Sequence, residues 1–276
     1  MIRHFLVADA PGLVARAAEW ASTPGPAPTP RHASTVMCLR EASGGLEVFM
    51  LHRMATMAFA PSMRVFPGGG VDPRDDAPDL PWAGPPPAEW AARMTTDEPS
   101  ARRFIVAAVR EVFEETGVLL AGRAEASTAL ADASDPAWAT ARNDLVERHI
   151  SLAEFLVAQG LSLRSDLMSY RAHWTTPEFE KRRYDTRFFA CLLPEGQAAD
   201  ALTSEAQAAD WARPADLLDA AATGRALMLP PTIVCLEQLA AAPSAEAFLA
   251  ELPPVHEVIP VLVDTPEGLT LRADLP

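Results

Sequence analysis

One stretch constrains this chain more than any other: Arg110-Glu111-Val112-Phe113-Glu114-Glu115-Thr116-Gly117-Val118, which closes a segment that reads as a helix from about Ser100 to Thr116. On a helical wheel Glu111, Glu114 and Glu115 fall in one arc about 100° wide, while Ile105, Ala108, Val109, Val112 and Phe113 fall on another. Gly117 is placed to end the helix as a left-handed cap. Three carboxylates one turn apart repel, at a cost of a few tenths of a kcal/mol per pair. A divalent cation would relieve that repulsion, and carboxylate oxygens are the preferred ligands of Mg²⁺ and Mn²⁺. A solvated acidic face is the plainer alternative.

Composition narrows the partners. The chain has 276 residues, 49% apolar and 22% charged, enough to bury a sizeable core. Its net charge of −14 argues against nucleic acid or an anionic membrane as a partner. A small anionic substrate fits only if cations reverse the local field. Cys38, Cys191 and Cys235 are far apart and form no C-x-x-C, which fits core residues in a reducing compartment. No apolar run is long enough for a membrane span, and Asp9, Pro11 and Gly12 stand where a signal peptide needs apolar residues. The expectation is a cytoplasmic protein.

Along the chain, a short helix is expected at 11–21, then a linker built on Pro24, Pro26, Pro28 and Pro30. Residues 33–39 and 46–52 suit a hairpin turning at Ser43-Gly44-Gly45. Gly68-Gly69-Gly70 lets the backbone come close to a ligand. The segment between Asp75 and Pro99 is rich in proline, carries Trp82 and Trp90, and reads as an insertion with a short helix at 88–94. Helices are expected from Asp135-Pro136 to about Arg148 and from the capping box Ser151–Glu154. Strands are expected at 167–174 and 184–193, followed by a polar stretch from Pro194 to Asp210. Helices at 214–222, 231–241 and 245–250 and a hairpin at 258–263 and 269–272 complete the chain. Strands and helices without βαβ regularity indicate an α+β or α/β/α sandwich architecture.

The run Arg110 to Val118 fits R-E-U-x-E-E-x-G-U at every position, U being aliphatic, and a glycine loop precedes it. Together they resemble the Nudix hydrolase signature G-x5-E-x7-R-E-U-x-E-E-x-G-U. With Gly69 as the first glycine, Asp75 stands where the family usually has Glu; the arginine expected at position 83 falls at Arg110 instead. The interruption coincides with the Pro/Trp-rich segment. Such an insert resembles the long-insert branch that includes the peroxisomal acyl-coenzyme A diphosphatases. Phe59-Ala60-Pro61, Arg64-Val65-Phe66-Pro67 and Arg183-Tyr184-Asp185-Thr186-Arg187-Phe188-Phe189 add to that likeness. Met57-Ala58-Phe59 lacks the basic residues usual in coenzyme A diphosphatases, and Ala273-Asp274-Leu275-Pro276 does not look like a peroxisomal tag.

The resemblance covers about residues 33–241. It implies an α/β/α Nudix sandwich with a mixed sheet and extra helices over 31–276. An insertion would occupy 76–102, C-terminal helices and a hairpin 213–276, and an N-terminal helix with its linker 1–30. It implies hydrolysis of a diphosphate linkage in a nucleoside diphosphate derivative, coenzyme A or an acyl-coenzyme A first. A nucleotide sugar, ADP-ribose or a dinucleotide comes second, and a non-catalytic nucleotide-binding regulator is the rival class. Mg²⁺ or Mn²⁺ would be held by Glu111, Glu115, Glu114 and a carbonyl of Gly69 or Gly70. Arg110 would orient the carboxylates, and Glu205, ahead of Trp211, is the first candidate for general base, with Glu178 and Glu180 behind it. Arg53, Arg64 and Lys181 are candidates to hold phosphates, and Phe66, Tyr170, His173 and Trp174 to line or stack on the substrate. A homodimer is the assembly the resemblance suggests. The histidines show no metal-ligand spacing, and no G-x-S-x-G is present, so a serine hydrolase is disfavoured.

Overall fold

The computed structural model describes residues 1–6, 12–23, 25–54, 60–123, 136–201, 206–266 and 268–276. In chain order the elements are β1 (Ile2–Leu6), α1 (Leu13–Ser22), β2 (Arg31–Ala42), β3 (Gly45–Arg53), β4 (Arg64–Val65) and β5 (Gly68–Gly70). Then come β6 (Trp82–Ala83), α2 (Pro87–Met94), α3 (Glu98–Thr116), β7 (Ala121–Gly122), α4 (Pro136–Val146), α5 (Leu152–Ala158), β8 (Ser162–Arg164), β9 (Met168–Thr175) and β10 (Tyr184–Leu192). The chain closes with β11 (Ala206–Ala212), α6 (Pro214–Ala222), α7 (Pro230–Ala241), α8 (Ala245–Ala250), β12 (Glu257–Val258), β13 (Val261–Thr265) and β14 (Gly268–Asp274).

The central sheet runs β11-β3-β2-β10-β9-β12, with β4 added to β3 and β5 to β2. It is mixed: β2–β10 and β9–β12 are parallel, and the other pairings antiparallel. Alternation along each strand sorts its side chains onto two faces. Val36, Cys38, Phe49, Leu51, Phe189 and Cys191 join one core with α2, α3 and α5. Met37, Leu39, Val48, Met50, Phe188 and Ala190 join the other, with Ala17 of α1, Leu217, Leu236 and Phe248. Both faces are covered, which gives the α/β/α layering of an α+β fold.

Helix α3 is built as a rigid spine. Asp97 caps it, accepting the Ser100 N–H at 2.7 Å, and Pro99 sits in the first turn. Gly117 ends it at φ 75°, donating its N–H to Phe113 O. Phe104, Ile105, Val109, Val112 and Phe113 are essentially fully buried. Each contributes about 1.5–3 kcal/mol of burial, against a few tenths for each carboxylate repulsion, so packing decides that the helix forms.

The proline-rich segment is part of the core. Pro87 sits in the first turn of α2, which lays Trp90 and Met94 against α3. Trp90 meets Phe189 edge to face, and Trp82 donates its indole N–H to Pro85 O. Two sequence expectations need revision. The polar stretch expected at 194–210 ends in a strand: residues 206–212 form edge strand β11 on β3, held by Trp211 against Phe49 with Arg40 over its ring. Residues 2–6, for which no strand was expected, pair as β1 with β14, so a three-stranded sheet β1-β14-β13 joins the two ends of the chain. Among the described residues no helix is long and apolar enough to cross a membrane.

Candidate active site

Strand β5 brings the glycine loop onto α3. Gly70, Gly69 and Gly68 pair with Ala33, Ser34 and Thr35 of β2. The Gly68 N–H donates to Glu115 Oε2 at 2.7 Å. A Cβ at Gly69 would lie 2.6 Å from Glu111 Oε1, so the loop packs closer to that carboxylate than any side chain permits. Gly68, at φ 154°, has the Ser34 carbonyl where its Cβ would stand.

Arg110 organises the carboxylates. Its Nε and Nη2 donate to both oxygens of Asp75 at 2.8 and 2.9 Å, a bidentate pair. Nη2 also reaches Gly70 O at 2.9 Å, and Nη1 donates to Glu111 at 2.7 Å and Glu114 at 3.2 Å. Asp75 is held by a capping box, accepting the Asp72 N–H while the Asp72 side chain accepts the Arg74 N–H. Asp75 and Arg110 are 1% and 4% exposed. The insert therefore leaves from a residue bonded to the helix it later rejoins.

Burial shifts these groups. It pushes Glu111 up to about 7 against the pull of Arg110, with Glu114 adding to the rise. Burial raises Glu114 as well, again opposed by Arg110. Burial works against the Arg110 charge, yet Asp75, Glu111 and Glu114 hold it more firmly protonated than usual. One arginine thus faces three carboxylates, with Glu115 nearby on the same helix, and among the described residues Glu114 Oε1 is buried with no hydrogen-bond partner. A hard divalent cation with oxygen ligands is the group this donor set suits, because it supplies the missing charge and a partner for the orphaned oxygen.

The carboxylates line a cavity of about 1260 Å³. Glu111, Glu114, Glu115, Arg110 and the three glycines line it, with Arg53, Phe66 and Trp174. Phe66 and Trp174 are buried in the core opposite α3, and Phe188, Met228, Ile233 and Leu271 extend the apolar wall.

The other sequence candidates are dispersed. Arg64 points to Asp210 at 3.4 Å, and Tyr170 is packed against Phe189 on the α3 side of the sheet; neither lines the cavity. A bulge explains Tyr170. Phe188 pairs with Ala172 and Phe189 with Tyr170, so the extra residue Arg171 turns Tyr170 to the face opposite Trp174. Glu180 lines the cavity but its carboxylate is taken by Arg16 in a bidentate pair at 2.9 and 3.0 Å. Glu178 is exposed and away from the cavity. Glu205 lies outside the described residues. Trp82 and Trp90 pack under α3 and do not reach the cavity.

His173 joins a separate cluster with Asp185 and Glu257, one donor atom of each within 4.8 Å of the others. Asp185 is also held by Arg187 at 2.5 Å, so cations of the protein already balance that cluster. Sequence reasoning missed the contribution of the chain ends. His4, Phe5 and Leu271 line the cavity because β1 pairs with β14, a contact no local pattern announces, and Leu13 of α1 lines it too.

The family model of the NUDT19 Nudix domain matches residues 83–239, more than half of the chain. The chain belongs to the NUDT19 Nudix domain family. A Caenorhabditis elegans protein carrying the name nudix hydrolase 7 is 29% identical over 192 residues, 70% of this chain and 55% of that protein. The human acyl-coenzyme A diphosphatase NUDT19 is 27% identical over 233 residues, 71% of this chain and 61% of that protein. The chain thus spans a little over half the length of these curated relatives. Among solved structures, a NUDIX hydrolase from Alicyclobacillus acidocaldarius superposes with a TM-score of 0.68 at 29% identity, over 82% of this chain and 98% of that one. The split Nudix box is thus a folded unit: Gly69, Asp75, Arg110 and the three glutamates meet in space across the insert.

Proposed function

We propose that this protein is a metal-dependent diphosphatase that cleaves the P–O–P linkage of a nucleoside diphosphate derivative, coenzyme A or an acyl-coenzyme A being favoured. The observation that carries this reading is the network of Asp75, Arg110, Glu111 and Glu114 closed by Gly69 beside the cavity. Glu111, Glu115 and Glu114, with the Gly69 carbonyl, would hold Mg²⁺ or Mn²⁺. Such ions, when bound, neutralise the diphosphate and lower the pKa of water. Arg110 keeps Glu111 and Glu114 together where they would hold the ion. Arg110 is spent on carboxylates and on Gly70 O, so its part is positioning.

In the reaction one water is consumed. A new P–O bond forms at one phosphorus, the bond from that phosphorus to the bridging oxygen breaks, and two phosphomonoesters result. A carboxylate must take the water proton. Glu114, its pKa raised and one oxygen unpartnered, is a candidate within the described site, and Glu205 keeps its place as the base expected from sequence.

The wall of Phe66, Trp174, Phe188, Met228, Ile233 and Leu271 supports a substrate with an apolar arm, each buried methylene adding about 0.8 kcal/mol. The human relative's name points the same way. The test is turnover with Mg²⁺ or Mn²⁺ of coenzyme A, acyl-coenzyme A of rising chain length, ADP-ribose, UDP-sugars and dinucleotide polyphosphates, products separated by chromatography. Acyl-coenzyme A should show the highest kcat/KM. No turnover of any compound with metal present would replace this reading with a non-catalytic nucleotide binder.

A further inference from the structure

Most cations around the cavity are already engaged. Arg110 is bound to carboxylates, Arg74 to Asp72 and Ile150 O, Arg148 to Asp72, and Arg53 has a partner. Arg31 and Arg182 are the exceptions. Both line the cavity, both are exposed, and among the described residues neither side chain has a hydrogen-bonding or ionic partner. They come from different segments, β2 and the loop before β10, and the fold brings the start of β2 against the end of that loop. The Arg31 N–H donates to Arg183 O at 2.9 Å, and Arg31 is the register partner of Tyr184. Lys181, the single lysine of the chain, precedes Arg182 and is exposed.

The loop that carries Lys181 and Arg182 is fixed from both sides. Arg183 is buried and donates to Thr176 O and Pro28 O, and Glu180 is clamped by Arg16. These exposed cations, in a chain of net charge −14, have no carboxylate partner among the described residues to relieve their mutual repulsion. An anion of the ligand supplies that relief. The diphosphate itself belongs at the carboxylates, which leaves Arg31 and Arg182 for a second anionic group.

We infer that Arg31 and Arg182, supported by the field of Lys181, form a subsite for a phosphomonoester that the substrate carries outside its diphosphate linkage, such as the ribose 3′-phosphate of coenzyme A. This assignment rests on the diphosphatase reading and specifies which nucleoside half the site selects. Arginine suits the role because its planar fork matches phosphate oxygens.

The experiment compares kcat/KM for coenzyme A and 3′-dephospho-coenzyme A, with Mg²⁺, in the wild type and in Arg31→Ala/Arg182→Ala. Two charge-assisted contacts predict a wild-type preference of about 10- to 100-fold for coenzyme A, falling as salt is raised. In the double variant the ratio should collapse to within about threefold, and Arg31→Lys/Arg182→Lys should restore part of it. A wild type that does not distinguish the two substrates, or a double variant that keeps the preference, overturns the assignment. If neither substrate is turned over, the diphosphatase reading has failed, and equilibrium binding decides the subsite alone. Adenosine 3′,5′-bisphosphate should then bind the wild type at least about tenfold more tightly than AMP and inorganic phosphate, and the double variant without that preference. Equal binding of the three overturns it.

Discussion

Gly69→Ala isolates the contact between the glycine loop and the helix. The added Cβ would stand 2.6 Å from Glu111 Oε1 and 2.7 Å from its Cδ and Oε2, where ordinary contact begins near 3.4 Å, so the carboxylate must retreat by about 0.8 Å. The obstacle is the free end of a side chain, and the Gly69 backbone is not left-handed, so the fold can absorb the change. A displacement near 1 Å of a group that positions a reaction costs about 10²-fold, or roughly 2.7 kcal/mol of barrier. The assay pairs steady-state hydrolysis of coenzyme A at saturating Mg²⁺ with thermal unfolding followed by circular dichroism. The expected result is a loss of about 100-fold in kcat/KM with a melting temperature within about 3 °C of wild type. Gly68→Ala is the control. There the Cβ meets backbone, Ser34 O at 2.4 Å and Thr35 Cα at 2.6 Å, at φ 154°, so stability should fall by about 1–3 kcal/mol. Gly69→Ala with activity within about threefold of wild type would refute the idea that close approach to Glu111 sets the site.

Two further outcomes follow from the same network. Asp75→Ala leaves Arg110 buried without its bidentate partner but still bonded to Glu111, Glu114 and Gly70 O, so the loss should sit near about 3 kcal/mol. Thermal unfolding should register this as a drop of roughly 6–12 °C; a change under about 2 °C would remove Asp75 from the structural account. The pH dependence of stability tests the buried glutamates. A carboxyl raised from 4.5 unfolded to about 7 folded makes the native state hold more protons between those values, so metal-free stability should fall as pH rises from about 4.5 to 7. Glu111→Gln should flatten that limb in urea unfolding series, leaving the contribution of Glu114. An unchanged slope would show that Glu111 titrates normally.

What the sequence disclosed was local. The glutamates, Arg110 and Gly117 lie within one helix and its cap, so their spacing already carried their geometry. The placement of Gly69 and Asp75 beside them was legible from the two halves of the box despite the insert. The short helix expected at 88–94 is there as α2, but burial of its Trp90 against Phe189 was not legible, since the partner lies on the distant strand β10. Strand β11 was invisible because four of its seven residues are alanine; it is a strand through pairing with β3, not through propensity. Tyr170 and Trp174 are four residues apart and read as one face of a strand. The bulge at Arg171 parts them, and only the pairing with β10 reveals it. The cavity wall made by Phe5 and Leu271 depends on contacts between the two ends of the chain, which no window of sequence contains.

The central claim is that Glu111, Glu114 and Glu115 hold the metal that makes the diphosphate cleavable. Glu115 gives the cleanest test, because a glutamine carbonyl can still accept the Gly68 N–H and keep the loop in place. Product formation from coenzyme A should be measured for the wild type with Mg²⁺, the wild type with excess EDTA, and Glu115→Gln with Mg²⁺. The account predicts two phosphomonoester products in the first case only, with the other two below about 1% of that rate and the variant's melting temperature little changed. Turnover that survives chelation, or a Glu115→Gln protein as active as wild type, would contradict it.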